Sequence, residues 1–346
     1  MRKTMNRWIT AGFVALSASA VGAAAAYPEK EVKLVNPFPV TGPADIAGSM
    51  AVNKVLRVMQ NHAAPPVTDV LAWHLRQTLS FALDKPVALE RRSRWRTIEG
   101  HRYVAQAAPD GYTLLLAGNG TIIIHPQVVR DVAFQPLQDL TPVALVARMP
   151  MVLIAAAGSN VRSVQQFVEQ ARAAPGRLHL GSSGDFTTAH LAGALFKSVT
   201  GTALEHVSYN GGAAAVRGVI AEQIEAAFVP LAAVLPYAGN ARLRALGIAD
   251  RVRHPAVPDV PPIGEAGVPG FEVSAWSGLF APAGTPARVI THINARIAAE
   301  LQSVQTRRLM VSQGLHAAHL PPDQFSELLR AENRRWALLI DALSDG

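Results

Sequence analysis

At 346 residues, 49% hydrophobic and 16% charged, the chain has a globular composition and length enough for about two domains. It contains no cysteine, which excludes disulfides and thiolate metal sites. Without the three positive charges of its opening segment the net charge falls from +7 to +4, which is mild and calls for no nucleic-acid partner.

The chain opens with Arg2, Lys3 and Arg7, then an apolar stretch from Ile9 to Ala20, then Ala24-Ala25-Ala26 before Tyr27. This is the pattern of a signal peptide over 1–26, and it predicts an exported, periplasmic protein. The apolar stretch falls short of the ~20 residues a membrane span needs. Glu31 to Val35 reads as a strand and leads into Asn36-Pro-Phe-Pro-Val-Thr-Gly-Pro-Ala-Asp45, a loop fixed by its prolines and Gly42. A helix is expected over Ile46 to Gln60, and a second beginning near Thr68-Asp69 with Leu71, Leu75, Leu79 and Leu83 on one face. The two helices have related openings, Pro43-Ala44-Asp45-Ile46 and Val67-Thr68-Asp69-Val70.

Pro86 to Leu89 and Tyr112 to Leu116 read as strands, and Val143 to Ala157 as a long strand crossing between domains. Val161 to Ala173 is an amphipathic helix stopped by Pro175-Gly176. Further strands are expected at Arg177–Leu180, Glu205–Tyr209, Ile224–Val229, Leu243–Ile248 and Val273–Ala281. Thr285-Pro286 reads as a capped helix start, and Asp323 as the cap of a last helix. Strands alternating with helices predict an α/β fold with mainly parallel sheets.

The segment Gly181 to Leu191, GSSGDFTTAHL, lies between a strand and a helix. Such a Gly-rich turn leaves backbone N–H groups unpaired, and with the helix dipole and nearby hydroxyls it makes an anion cradle. Asn119-Gly120-Thr121 and Asn210-Gly211-Gly212 recur at the same place, a strand's C-terminal end. In open α/β sheets ligands bind at that edge.

The segments YPEKEVKLVNPFPVTGPADI, AAPDGYTLLLAGNGT, GSSGDFTTAHLAGALFK, HVSYNGGAAA, LRALGIA, PPIGEAGVPGFEVSAWSGLFAPAGTP and FSELLRAENRRW follow one another in an order that resembles the Bug family. These are extracytoplasmic solute receptors similar to the binding component of tripartite tricarboxylate transporters. The resemblance implies a two-lobed periplasmic binding protein (type II-like, a "Venus flytrap") with a mainly parallel sheet in each lobe. Lobe 1 would comprise 27–148 and 248–346, with an atypical insertion near 46–69, and lobe 2 would be 149–247. The implied ligand is a small carboxylate (a dicarboxylate, tricarboxylate, acidic amino acid or aromatic acid), and the implied partners are membrane transporter subunits.

Carried over position by position, the resemblance implies ligand contacts at Pro39, Gly42 and Asp45, at Asn119 and Thr121, at Ser182, Ser183, Thr187 and His190, and at Tyr209, Gly211 and Gly212. For His190 a structural hydrogen bond in the first helical turn is the competing reading. Val40 and Thr41 depart from the family's proline and glycine, and Arg91 to Arg96 stand where the family has a Gly-rich loop, which puts Arg92, Arg94, Trp95 and Arg96 near the cleft. No cofactor, metal or catalytic residue is expected. The sequence lacks the second glycine of a Gly-x-Ser-x-Gly elbow at Ser183, a P-loop lysine and a His-Glu-x-x-His motif. A hydrolase, or a receptor that presents its ligand to a membrane sensor kinase, are the alternatives.

Overall fold

The computed structural model describes residues 27–38, 67–92, 98–129 and 134–344. The signal-peptide reading over 1–26, the loop Pro39 to Asp45, the helix expected over Ile46 to Gln60 and Arg94 to Arg96 lie outside them. Strand β1 (Val32–Asn36), helix α1 (Val67–Leu83), β2 (Val87–Arg91), α2 (Ile98–Ala105) and β3 (Thr113–Gly118) form a parallel unit with β1 central. A π-helical turn at Gly120–Ile124 leads through α3 (His125–Val128) and α4 (Pro136–Asp139) into the 17-residue strand β4 (Leu140–Ala156). The chain then runs through α5 (Val164–Ala173), β5 (His179–Ser182), α6 (Thr188–Thr200), β6 (Glu205–Ser208) and α7 (Gly212–Ile220). It continues with β7 (Ala226–Pro230), α8 (Leu231–Val234) and β8 (Leu243–Ile248). It returns along β9 (Ser274–Pro282), then α9 (Ala287–Leu301), α10 (Val304–Ser312), β10 (His316–Leu320) and α11 (Pro322–Ser344).

Among the described residues the strands form one sheet in the order β2-β1-β3-β9-β4-β7-β5-β6, with β8 and β10 also on β4. The long β4 belongs to both halves. Leu140 to Pro150 pairs with β9, and from Met151 onward the partners are β7 and β8. Pro150, which has no N–H to donate, stands at the changeover, where Pro150 is opposite Ser274 and Met151 opposite Pro230. The parallel expectation holds for β2-β1-β3 and for β7-β5-β6, while the crossover strands β4 and β9 join their neighbours antiparallel. A strand that leaves one half and another that returns to it must run in opposite directions side by side.

Two other expectations change. Thr285 does not cap α9; Pro286 holds the N-cap position without a side-chain bond, and the Thr285 hydroxyl donates to the Pro282 carbonyl at 2.8 Å. Strand β10 and helix α10 have no counterpart in the sequence reading, because His316-Ala-Ala-His-Leu320 is partly buried at every position and shows no alternation.

Three apolar clusters hold the fold. On one face, α1 sets Leu71, Leu75, Leu79 and Leu83 beside Val289, Ile290, Ile293, Ile297 and Leu301 of α9, against Leu34, Leu114 and Leu116. In the other half Ala215, Val216 and Val219 of α7 cover Val152, Ile154 and Val229. The third cluster runs on across both halves, from Leu115 and Phe280 through Trp276, Phe325 and Trp336 to Phe196, Phe228 and Phe271. Phe325 of α11 is fully buried, its ring 5.4 Å from that of Trp276 and 5.3 Å from that of Phe280. Phe325→Ala should therefore cost about 3–5 kcal/mol, as large-to-small changes of buried aromatics do. A lowered urea midpoint with an unchanged slope would measure it, and a loss under about 1 kcal/mol would show that α11 is not anchored there.

Candidate functional site

The β5–α6 turn is closed by its own side chains. Ser182 is 1% exposed, and its hydroxyl lies 2.8 Å from His206 Nε2 and accepts from the Gly184 N–H at 3.2 Å. Thr187 is the N-cap of α6, accepting from the His190 N–H at 3.3 Å while its own hydroxyl donates to the Gly184 carbonyl at 2.7 Å. His190 Nδ1 accepts from the Phe186 N–H at 3.0 Å, the structural hydrogen bond that competes with a ligand role for this residue. The His190 and His206 rings stack at 4.0 Å, 15° from parallel.

Burial, and then the neighbouring His206, lower the pKa of His190 to about 4, against the opposing pull of Asp185. Burial also lowers that of His206. Asp185, His190 and His206 bring one ligand atom each within 4.8 Å of one another. Stacked rings point their in-plane lone pairs along nearly parallel lines, so the two nitrogens do not converge on one ion at the ~2.0–2.1 Å that imidazole ligation needs. His190 Nδ1 is also already taken. The contacts Ser182–His206 and His206–Asp185 (3.8 Å) follow the order of a Ser-His-Asp relay, with His206 where the sequence would have offered His190. The Ser182 oxygen, buried and bonded within its own turn, holds the loop.

The start of α7 is built differently. Its N-cap, Gly211, has φ +96° and ψ 159°, a conformation open to glycine, and makes no side-chain cap. The Ser183 hydroxyl beside it is buried with no hydrogen-bond partner. A Cβ on Gly212 would stand 3.4 Å from that oxygen and 2.9 Å from Ala233 Cβ, so the backbone there is approachable only without a side chain. The uncapped N–H groups of a nine-residue helix and an unused hydroxyl thus lie together. Tyr209 supplies the turn's backbone, its N–H donating to the Ser182 carbonyl at 3.2 Å. Its phenol packs against Gly218 of α7, where burial raises its pKa.

From the other half comes Asn119, 2% exposed at the end of β3. Its Oδ1 accepts from the Gly120 N–H at 3.1 Å and from the Thr188 hydroxyl of α6 at 3.4 Å, a contact that joins the two halves. Its Nδ2 donates to the Ser274 carbonyl at 3.4 Å. The Thr121 hydroxyl donates to the Gly118 carbonyl and lies 2.9 Å from His101 Nε2, so it is occupied within its own half. Pro39, Gly42 and Asp45 fall outside the described residues. Asp69, in the first turn of α1 and 8% exposed, accepts from Asn36 Nδ2 at 3.0 Å and from Arg91 Nη1 at 2.8 Å. This group joins the C-terminal ends of β1 and β2, and its signal in the sequence is the second of the two related helix openings. Arg92, expected near the cleft, bonds Glu90 at 2.7 Å and lies 3.6 Å over the Tyr103 ring.

Among the described residues, three other than glycine have positive φ. Asp84 and Glu222 follow the ends of α1 and α7, where left-handed residues commonly close helices. Phe186, at φ +53°, precedes a helix instead, and for a bulky side chain that conformation costs on the order of 1–3 kcal/mol.

Residues 71–344 match the family described as the tripartite tricarboxylate transporter family receptor, and the chain belongs to that family. The match begins inside α1, two residues beyond Asp69. Among its relatives, the "UPF0065 protein in tcbD-tcbE intergenic region" of Pseudomonas sp. strain P51 is 31% identical, covering 91% of this chain and 87% of that one. Protein BugT of Bordetella pertussis is 29% identical over 90% of this chain and 88% of its own. Among solved structures, Rpa4515 of R. palustris with adipate superposes with a TM-score of 0.71 at 28% identity, covering 91% of this chain and 97% of that one. MatC (Rpa3494) of Rhodopseudomonas palustris with bound malate gives 0.66 at 26%, covering 91% and 100%.

The lowered histidines set a pH dependence. Unfolded, these imidazoles take up protons near pH 6.5; folded, His190 does so only near 4. Between those values the unfolded chain binds more protons, so the stability contribution present above pH 6.5 is lost as pH falls toward 4. Urea midpoints measured from pH 7 to pH 4.5 should decline less steeply in His190→Gln than in the parent chain. Equal slopes would show that the folded pair titrates normally.

Proposed function

We propose that the chain is an exported receptor that captures a small carboxylate between two lobes, 27–148 with 248–346 and 149–247, and delivers it to the membrane subunits of a tripartite transporter. The observation that carries this reading is the open start of α7 beside the unpartnered Ser183 hydroxyl. An N–H-lined helix start attracts an anion through its dipole and its free donors, and a carboxylate there would satisfy the buried oxygen as well. Ser183, Gly211 and Gly212 then supply the main contacts, with Tyr209, Ser182, Thr187 and His190 shaping the turns that present them. Asn119 contributes from the other half through its bond to Thr188, so a ligand seated between them gains contacts that an open form lacks. The adipate and malate held by the two relatives support a carboxylate as the class of ligand. In the first lobe, Asp69 with Asn36 and Arg91 sets a buried carboxylate at the C-terminal ends of β1 and β2. The leader over 1–26 would be removed before Tyr27, and N-terminal sequencing of the protein recovered from a periplasmic fraction should begin at that residue.

The reading is tested by thermal unfolding of 27–346 against adipate, malate, citrate, glutamate and benzoate, followed by calorimetry with the compound that shifts the midpoint most. A saturable shift with at least one is expected. Ser183→Ala should then weaken that compound by about 10- to 100-fold, the worth of a hydrogen bond to a charged group, while leaving the unliganded midpoint unchanged or slightly raised. Unaltered affinity in a folded variant would remove Ser183 from the site.

A further inference from the structure

We infer that the far end of the ligand is hydrocarbon, seated in an apolar recess beside the changeover of β4, and that this receptor selects monocarboxylates with an unbranched aliphatic tail over diacids of the same chain length. The inference rests on the carboxylate reading above and deepens it to a substrate class. The recess lies where β4 and β9 pair just ahead of the changeover, with Met149 opposite Ala275 and Ala147 opposite Ser277. Leu71 of α1, Trp276 and Leu315, which precedes β10, complete its wall. It encloses about 250 Å³, counting the space at its open mouth. Met149, Ala275 and Ser277 are only half-buried there.

Two paths tie this recess to the anion-binding start of α7. Along the sheet, a Cβ on Gly212 would stand 3.2 Å from Pro230 Cδ. Pro230 is opposite Met151, which is ~7 Å along β4 from Met149. Across the halves, a Cβ on Gly314 would come within 2.8 Å of the Ala232 nitrogen, so the turn that carries Leu315 packs on α8. The next residue of α8, Ala233, is the one whose Cβ would lie 2.9 Å from a Cβ on Gly212. The chemistry of the wall then decides what it takes. No described residue of the wall carries a charge. The Trp276 N–H is taken by Glu332 at 2.7 Å, which leaves the Ser277 hydroxyl as the polar side-chain group of the wall. A second carboxylate moved into it would lose water without gaining a cation. A methylene buried there gains about fourfold in affinity.

Hexanoate and adipate share a six-carbon chain and differ only in ending on a methyl group or a second carboxylate. Calorimetry on residues 27–346 should show affinity rising about two- to fourfold per methylene from butanoate through pentanoate to hexanoate, with hexanoate bound more tightly than adipate. Ser183→Ala should weaken all three monocarboxylates by one common factor and leave that slope unaltered, because it acts on the anion and not on the tail. Ala275→Val fills the recess from β9 and should lower the hexanoate-to-butanoate ratio by about fourfold or more. Met149→Ala opens it from β4 and should move the tightest-binding acid to heptanoate or octanoate. The two variants change the recess in opposite directions, so failure of one to fold leaves the other as the test. A parent that binds carboxylates but prefers adipate to hexanoate, or whose chain-length slope is unaltered by either substitution, overturns the hydrocarbon recess alone. A parent that binds no carboxylate in this series or the wider panel overturns the receptor reading beneath it.

Discussion

The fold depends on one strand being long enough to belong to two half-sheets at once. β4 covers 17 residues and changes partners between Pro150 and Met151 without losing its extended course. Because the changeover falls at a residue with no N–H, the switch from β9 to β7 gives up no ladder bond that the sequence could otherwise have made. β9 lies antiparallel beside the first part of β4, and residues just before it tie the return path to the junction: the Met151 N–H donates to the Val273 carbonyl at 3.1 Å, and the Ala249 N–H to the Met151 carbonyl at 2.8 Å. The third apolar cluster then covers both halves from one side, with α11 supplying Phe325 and Trp336.

That arrangement gives the two helix starts at the junction different tasks. α6 begins on a threonine cap and a histidine that accepts a backbone N–H, so its turn is satisfied from within. α7 begins on a glycine with no cap, beside a hydroxyl with no partner. A rigid turn next to an unsatisfied one suits anion capture, since the donors are held in place before the ligand arrives and little ordering remains to be done on binding. The stacked neutral histidines serve the same end: two imidazoles 4.0 Å apart cannot both take up a proton without repulsion, and burial already disfavours the first.

Much of this was legible in the chain. Alternating strand and helix patterns located β4, β8, β9 and the helices α5, α6, α7 and α9, because each pairs a strong apolar period with a glycine or proline boundary. The glycine loops after β3, β5 and β6 pointed to the edge where Asn119, Ser183 and Gly211 stand. What the pattern could not separate is which glycine turn is capped and which is open. The partners that hold those turns, His206 for Ser182, 24 residues away, and Thr188 for Asn119, 69 residues away, also lie beyond local pattern. Tyr209 shows the same limit: its place in the motif suggests a ligand contact, while Gly218, one helix later, decides where its ring can go.

The first-lobe departure concerns the stretch of chain between β1 and α1. Thirty residues, 37–66, separate β1 from α1, where a strand and the next helix are usually joined by about 2–6. Two helix openings of similar sequence bracket that interval, and only one can feed the helix that packs on β1. The buried bonds of Asp69 to Asn36 and Arg91, and the leucine face that begins at Leu71, belong to the second. The sheet edge, its acid and the helix behind it are therefore retained together.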